Sequence, residues 1–282
     1  MATPNGEAET KGEKISRLLK LAEKEFGTLS EAEKKFFLAA ASGEIADYRA
    51  EKEEDNDPTK AKDWGPERVL NADRIAWLCT DSLASSLVTH KGVWVNGAGI
   101  EGHLDLKFAQ ISFPLFFRGS AFPYGINFQH AELRGLHLPG THTGPILAEG
   151  INVKGDILLW DGFLVNGGMR LTGATINRNL ECGGGRFINK EGEAFNAEGI
   201  NVKGSVFLDE FFIAEGEVCL SGAVIGGNLV CGNGKFFNQK GKAFLAKGLN
   251  VNGSVFFNNI FQSIGEVNLL EATINGSLNC DG

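Results

Sequence analysis

The sequence predicts a mainly β fold: a squared β-helix solenoid behind an N-terminal α-helical region. Three observations carry that prediction. Residues 150–155 (GINVKG) return unchanged at 199–204 and lightly edited at 248–253, a period of 49. Fixed self-similarity at this scale means stacked structural units, each contacting its neighbours. Within a unit the apolar residues come in i, i+2 pairs, as in Ile200/Val202, Val206/Leu208, Phe212/Ala214 and Val218/Leu220. Side chains two apart on a strand share a face, so each pair points to one side. Gly204, Gly216, Gly222 and Gly227 fall between pairs, where the chain has to bend sharply.

The copies run over 148–196 and 197–245, and a third from 246 stops at Gly282 after 37 of 49 positions. Each copy is itself double: 198–208 aligns with 221–231 at an offset of 23, and the next return follows after 26. Four pairs per coil describe four short strands joined by tight corners. Columns such as Leu180/Leu229/Leu278 and Cys182/Cys231/Cys280 set like residues above one another. At about 4.8 Å per coil, roughly eight coils make a rod on the order of 40 Å long, with its interior filled by these pairs. Chemistry is then expected on an outer face, a corner or an end. The unfinished third copy leads to the expectation of a fragment of a longer chain, or of open ends meeting in an oligomer, because a bare coil presents unpaired N–H and C=O groups.

Upstream the period tightens to five. One expected inward column reads Phe108, Phe113, Arg118, Pro123, Phe128, Leu133, Leu138, Thr143, Ala148 and Val153; its companion, two residues earlier, includes Leu106, Ile111, Phe116 and Ala121. A helix would repeat near 3.6 and a flat strand at 2. Arg118 breaks the apolar column and is read as marking an insertion or an outward turn. The stretch Ala131-Glu132-Leu133-Arg134-Gly135 fits the consensus of the pentapeptide-repeat proteins, which the chain resembles from about residue 71 onward. Its longer coils are similar to a bacterial branch often labelled membrane-associated oxidoreductase. The resemblance implies a right-handed quadrilateral β-helix over 91–282. It also implies that relatives continue into a C-terminal membrane-spanning region.

Composition agrees with a packed solenoid. The chain has 282 residues, 43% of them hydrophobic, and 38 Gly, well above ordinary usage. Phe occurs 21 times against two Tyr, as suits stacked interior rings with no hydroxyl to satisfy. The five Cys (79, 182, 219, 231 and 280) read as small buried apolar residues, since members of the shared column lie about 10 Å apart, too far to bridge. That usage points to a reducing, cytoplasmic setting. No apolar run approaches the ~18 residues of a membrane span. The net charge is −8, and over 97–282 there are 17 Asp/Glu against 13 Lys/Arg, a balance of −4. Nucleic-acid binding calls for a basic stripe, and the chain offers none.

The N-terminal third divides into 1–50, 51–65 and 66–90. Residues 1–12 read as disordered, and 13–26 carry Ile15, Leu18, Leu19, Ala22 and Phe26 at helical spacing. Ser30-Glu31-Ala32-Glu33 is a capping box opening a second helix. Residues 51–65 (EKEEDNDPTKAKDWG) read as a charged linker or mobile loop. Helices over 71–79 and 81–88 are expected to cover the open edge of the first coil, with 93–95 as its first strand.

Motifs that suggest chemistry each have a plainer explanation. Residues 97–102 match GxGxxG, but the following His103-Leu104-Asp105-Leu106 alternates like a strand instead of opening the helix a dinucleotide needs. Gly232-Asn233-Gly234-Lys235 lacks the rest of a phosphate loop and reads as a turn. His103, His130, His137 and His142 raise the question of metal, yet His137 and His142 are expected on adjacent sides. Asp156, Asp161, Glu198, Asp209, Glu210, Glu215, Glu217 and Glu266 read as solvated carboxylates. Phe207, Phe256 and Phe257 are expected outside, where a row of aromatics would mark a contact surface. No catalytic, cofactor-binding or metal-binding residue is assigned, and no cofactor is expected.

The leading functional expectation is a non-catalytic scaffold acting through its outer faces on a protein partner, or associating with itself through the open C-terminal coil. Two alternatives stay open. A carbohydrate-active or redox enzyme predicts a side groove where carboxylates meet Arg or Lys. A DNA-mimicking inhibitor predicts a face dominated by carboxylates.

Overall fold

A computed structural model describes residues 10–281. From Val93 onward the chain winds as a β-solenoid of about eight turns, all neighbouring strands parallel. Each turn has four walls. The first is a ladder running from Val93–Asn96 and Leu115–Arg118 up to Val255–Phe256 and Leu278–Asn279. The second and third belong to one 13-stranded sheet, and the fourth is a seven-stranded ladder from Glu132–Leu133 to Thr273–Ile274.

The i, i+2 pairs fill the interior as the sequence predicts. Ile157/Leu159, Leu180/Cys182, Val206/Leu208 and Leu229/Cys231 stack without solvent contact. A Phe column runs through Phe163, Phe187, Phe212, Phe236 and Phe261, with ring centroids 5.2 to 5.5 Å apart. Phe257, expected outside, belongs to this core as the partner of Val255. Cys280 is exposed on the last coil, whereas the other four thiols are buried.

The five-residue column needs one correction. From Phe128 onward it is inward as read, but upstream the inward pairs are Leu104/Leu106, Ala109/Ile111 and Leu115/Phe117. An extra residue at the 123–125 corner, where Phe122 pairs with Thr143 but Ile126 with Ile146, shifts the register by one, and a one-residue slip turns every side chain of a strand to the other face. Phe116 and Arg118 therefore face outward, and Phe108, in left-handed backbone at φ 60°, is 65% exposed on a corner.

From residue 186 the second and third walls fuse into continuous strands that bulge outward: Arg186–Asn196, Ile213–Cys219, Lys235–Leu245 and Gln262–Asn268. Long and short strands alternate, which is the physical content of the alternating 26- and 23-residue offsets. At Gly216 (φ 134°) a Cβ would collide with the carbonyl oxygens of Asn189 and Gly192 in the coil beneath; Gly265, 49 residues on, stands over Asn238 and Gly241 in the same way.

The N-terminal part is a cap. Helix α1, Lys11–Phe26, starts inside the stretch expected to be disordered, because Thr10 and Glu13 form a capping box; residues 1–9 lie outside the described residues. Helix α2, Glu31–Ser42, has the expected box between Ser30 and Glu33. Helices α3, Ala72–Thr80, and α4, Ser82–Leu87, follow the expected segments. Glu33 pairs with Arg74 at 2.7 Å, and Arg74 also lies over the Phe26 ring. The stretch 51–65 forms short 3-10 turns, Glu53–Asn56 and Pro58–Asp63, where a linker was expected. Arg68 pins it by stacking on Trp64 at 3.7 Å and donating to the carbonyl of Asp55. Two short strands precede the first coil and extend it: Ala46–Asp47 pairs with Val95 and Asn96, and Val69–Asn71 with Gly99–Glu101.

Candidate functional site on the apolar outer wall

Alternation along a strand sends the residue between two inward ones to the outside. On the first wall those outward residues are Trp94, Phe116, His137 and Leu158 in the first four coils, register-paired in that order. Glu181, Phe207, Val230 and Phe256 continue the same column. Trp94 and Phe116 stack with centroids 4.5 Å apart and planes 9° apart, and Phe116 meets the His137 ring edge-on at 5.7 Å. Burial lowers the His137 pKa, with Asp156 pulling it partly back, so the ring is neutral at neutral pH. The adjoining fourth wall carries Asn152, Thr175, Asn201, Asn250 and Thr273 at the equivalent outward positions, with Val224 the apolar exception. One side of the rod is thus aromatic and aliphatic while the side next to it across one corner is polar.

The upper half of the apolar wall has two hollows. One, of about 410 Å³, is lined by Trp160, Glu181, Phe207, Asp209 and Glu210. The other, of about 270 Å³, includes Asp209, Glu210, Val230, Phe256 and Asn258. Asp209 and Glu210 form the ridge between them. Burial raises the Asp209 carboxyl above its ordinary range, and the Glu210 and Glu181 charges push the same way. The corner itself is strained. Glu210 (φ 49°) and Phe211 (φ 69°) are consecutive left-handed residues, where the equivalent corner two coils below has Asp161 and Gly162. Such backbone costs a bulky residue roughly 1–2 kcal/mol.

A different hollow, of about 700 Å³, lies on the bulged second wall against Ile213, Phe237 and Ile264. Here Arg186 and Lys190 converge on Glu215 at 2.7 and 3.0 Å. This is the meeting of carboxylate and cations that a surface-groove enzyme predicts. Hydrogen bonds from Lys190 and Arg186 hold the Glu215 carboxyl below its usual range, so it stays ionised and neutralised. A general acid needs the opposite shift.

The other candidates are dispersed. Of the GxGxxG glycines, Gly97 and Gly102 turn corners at positive φ and Gly99 opens the strand Gly99–Glu101 between them, with strand Leu104–Asp105 following and Arg68 donating to the Gly97 carbonyl at 3.1 Å. Gly232–Lys235 is a turn, closed by Gly234 N–H donating to the Cys231 carbonyl, and enters strand Lys235–Leu245. His103 contacts the Tyr124 carbonyl, His130 stacks on Phe108, and His137 and His142 sit on the first and second walls. Among the described residues no three His, Cys, Asp or Glu side chains gather as metal ligands. Asp156 and Asp161 pair with Arg178 and Arg118. Sequence reasoning placed Phe207 and Phe256 on the outside but missed Trp94, Phe116 and Leu158. Their signal lay in the outward position of each pair, and at Phe116 the upstream register shift hid it.

Fold and site together define a parallel β-solenoid with one apolar outer wall and a helical cap. Comparison with known proteins finds no matching family model, no matching characterised protein and no matching solved structure. Among the described residues no helix is long and apolar enough to cross a membrane.

Proposed function

We propose that this chain is a non-catalytic scaffold, akin to the pentapeptide-repeat proteins, that binds a protein partner through the outer face of its first wall. The observation behind the reading is the column from Trp94 to Phe256, seven of whose eight positions are apolar or aromatic, counting the neutral His137 ring. An apolar strip that keeps a half-exposed face on the surface, as this one does, marks a contact site. The interior is packed with side chains, which leaves outer surfaces as the place of action. Phe116→Asp with Phe207→Asp should abolish recovery of a defined partner in affinity purification while leaving the circular dichroism spectrum unchanged. Recovery unaltered by the pair of substitutions would refute the reading.

A second reading, an enzyme with a side groove, draws on the Arg186–Glu215–Lys190 cluster. Turnover of a small molecule that is lost in Glu215→Gln, with the first wall dispensable, would favour it.

A further inference from the structure

We propose that the apolar wall docks a basic amphipathic helix, one with apolar residues at i and i+7 and Lys or Arg at i+3 and i+4. The inference rests on the scaffold reading above and names the chemistry of the partner. Phe207 and Phe256, one in each hollow, are two coils apart on one column. At about 4.8 Å per coil they are separated by about 10 Å. Seven residues of α-helix advance about 10.5 Å and return to the same face. A helix laid along the rod axis therefore drops one apolar side chain into each hollow. Its i+3 and i+4 positions arrive over the ridge of Asp209 and Glu210, with Glu181 one coil below.

Charge selects the occupant. Glu181 accepts from Asn179 at 3.2 Å, but neither it nor Asp209 nor Glu210 has a Lys or Arg within ion-pair distance among the described residues. Elsewhere on the rod, Asp156, Asp161 and Glu215 each have their own cation. The mutual repulsion seen at Asp209 is what an arriving cation relieves. A second copy of this chain, laid wall to wall with its rod parallel, sets Glu181 against its own counterpart and supplies no cation.

The test uses the whole chain and a labelled helical peptide of roughly 18 residues, about 27 Å long, built from Leu, Lys and Ala on the i, i+3, i+4, i+7 pattern. Controls are the same composition scrambled and the same pattern with Glu in place of Lys. Fluorescence anisotropy should show the patterned peptide binding at least tenfold more tightly than either control, with weakening in salt. Glu181→Lys and Asp209→Lys, each checked by circular dichroism to be folded at the assay temperature, should reduce binding tenfold or more, and Asp209→Asn by less. Equal binding of patterned and scrambled peptides, or indifference to both charge reversals, overturns the inference. Panning a displayed random-peptide library separates this failure from failure of the scaffold reading. Enriched peptides that lose binding to Phe207→Asp but carry no basic residues leave the wall a contact surface and refute the basic helix. Enriched peptides indifferent to Phe207→Asp refute both. A dimer of the chain alone that Phe207→Asp dissociates refutes the basic helix in favour of self-association.

Discussion

At Asp209 stability and the proposed role pull in opposite directions. Its carboxyl is raised in the folded chain by burial and by neighbouring Glu210 and Glu181. A raised folded pKa means that the native state holds the proton more tightly than the unfolded state, so stability falls as pH climbs through the carboxylate range. Asp209→Asn is therefore expected to raise the melting temperature at neutral pH, with the gain disappearing below the unfolded carboxyl pKa; equal melting curves at pH 7 would sink the assignment. The cysteines give a second check at this scale. Burial pushes Cys79 up to about 12 and Cys182 and Cys231 well above the ordinary thiol, while Cys219 is raised and Cys280 is exposed. Only the thiolate is a competent nucleophile. Titration of the native chain with a chromogenic disulfide should thus report about one of its five thiols quickly and the other four only after denaturant.

Single elements show which signals the sequence carries and which it hides. The start of helix α2 was legible to the residue because Ser30 and Glu33 exchange hydrogen bonds across the first turn. Ser30→Ala should cost about 1 kcal/mol in denaturant unfolding. Strand Ala46–Asp47 was not legible, since two residues carry no period and its partners at Val95 and Asn96 lie far along the chain. The upstream outward column was misread for a similar reason: one added residue at 123–125 is invisible to a five-residue template, yet it turns Phe116 from core to surface. Corner chemistry was also missed. Asx and Ser side chains climb one edge of the rod, Asn179 accepting from Ser205 N–H, Ser205 from Asn228 N–H and Asn228 from Ser254 N–H at 2.9 to 3.0 Å. They satisfy backbone donors that the turns leave without a ladder partner. Gly216, by contrast, was expected at a bend, and the coil beneath explains why nothing larger fits. Gly216→Ala should lower the thermal midpoint by several degrees; an unchanged midpoint would mean that the bulge relaxes at no cost.

Across the whole molecule, the period of 49 made the architecture readable before any site, because each coil repeats the same burial problem and solves it with the same residue types. The site depends on what the repeat leaves free, the outward positions, where Trp94, Phe207 and Glu181 obey no packing rule. The same linear design governs how the rod should fail. Each coil touches only the coils above and below, so stability is close to a sum of local terms. Phe212 sits mid-column, its ring centroid 5.2 Å from Phe187 and 5.4 Å from Phe236. Truncating a buried Phe to Ala costs about 3–5 kcal/mol through lost transfer energy and the cavity left behind. In a globular core that loss would be shared by every residue. Here Phe212→Ala should act as a break, leaving the cap and the coils through Ile157–Leu158 nearly as protected as before. Amides of the strands from Leu229–Val230 to Val255–Phe256 should exchange much faster, because these coils lose their template. Hydrogen exchange read by mass spectrometry distinguishes the cases directly. A uniform loss of protection from α2 to Val255–Phe256 would mean that cap and coils unfold as one cooperative unit and that nearest-neighbour stacking does not describe this rod.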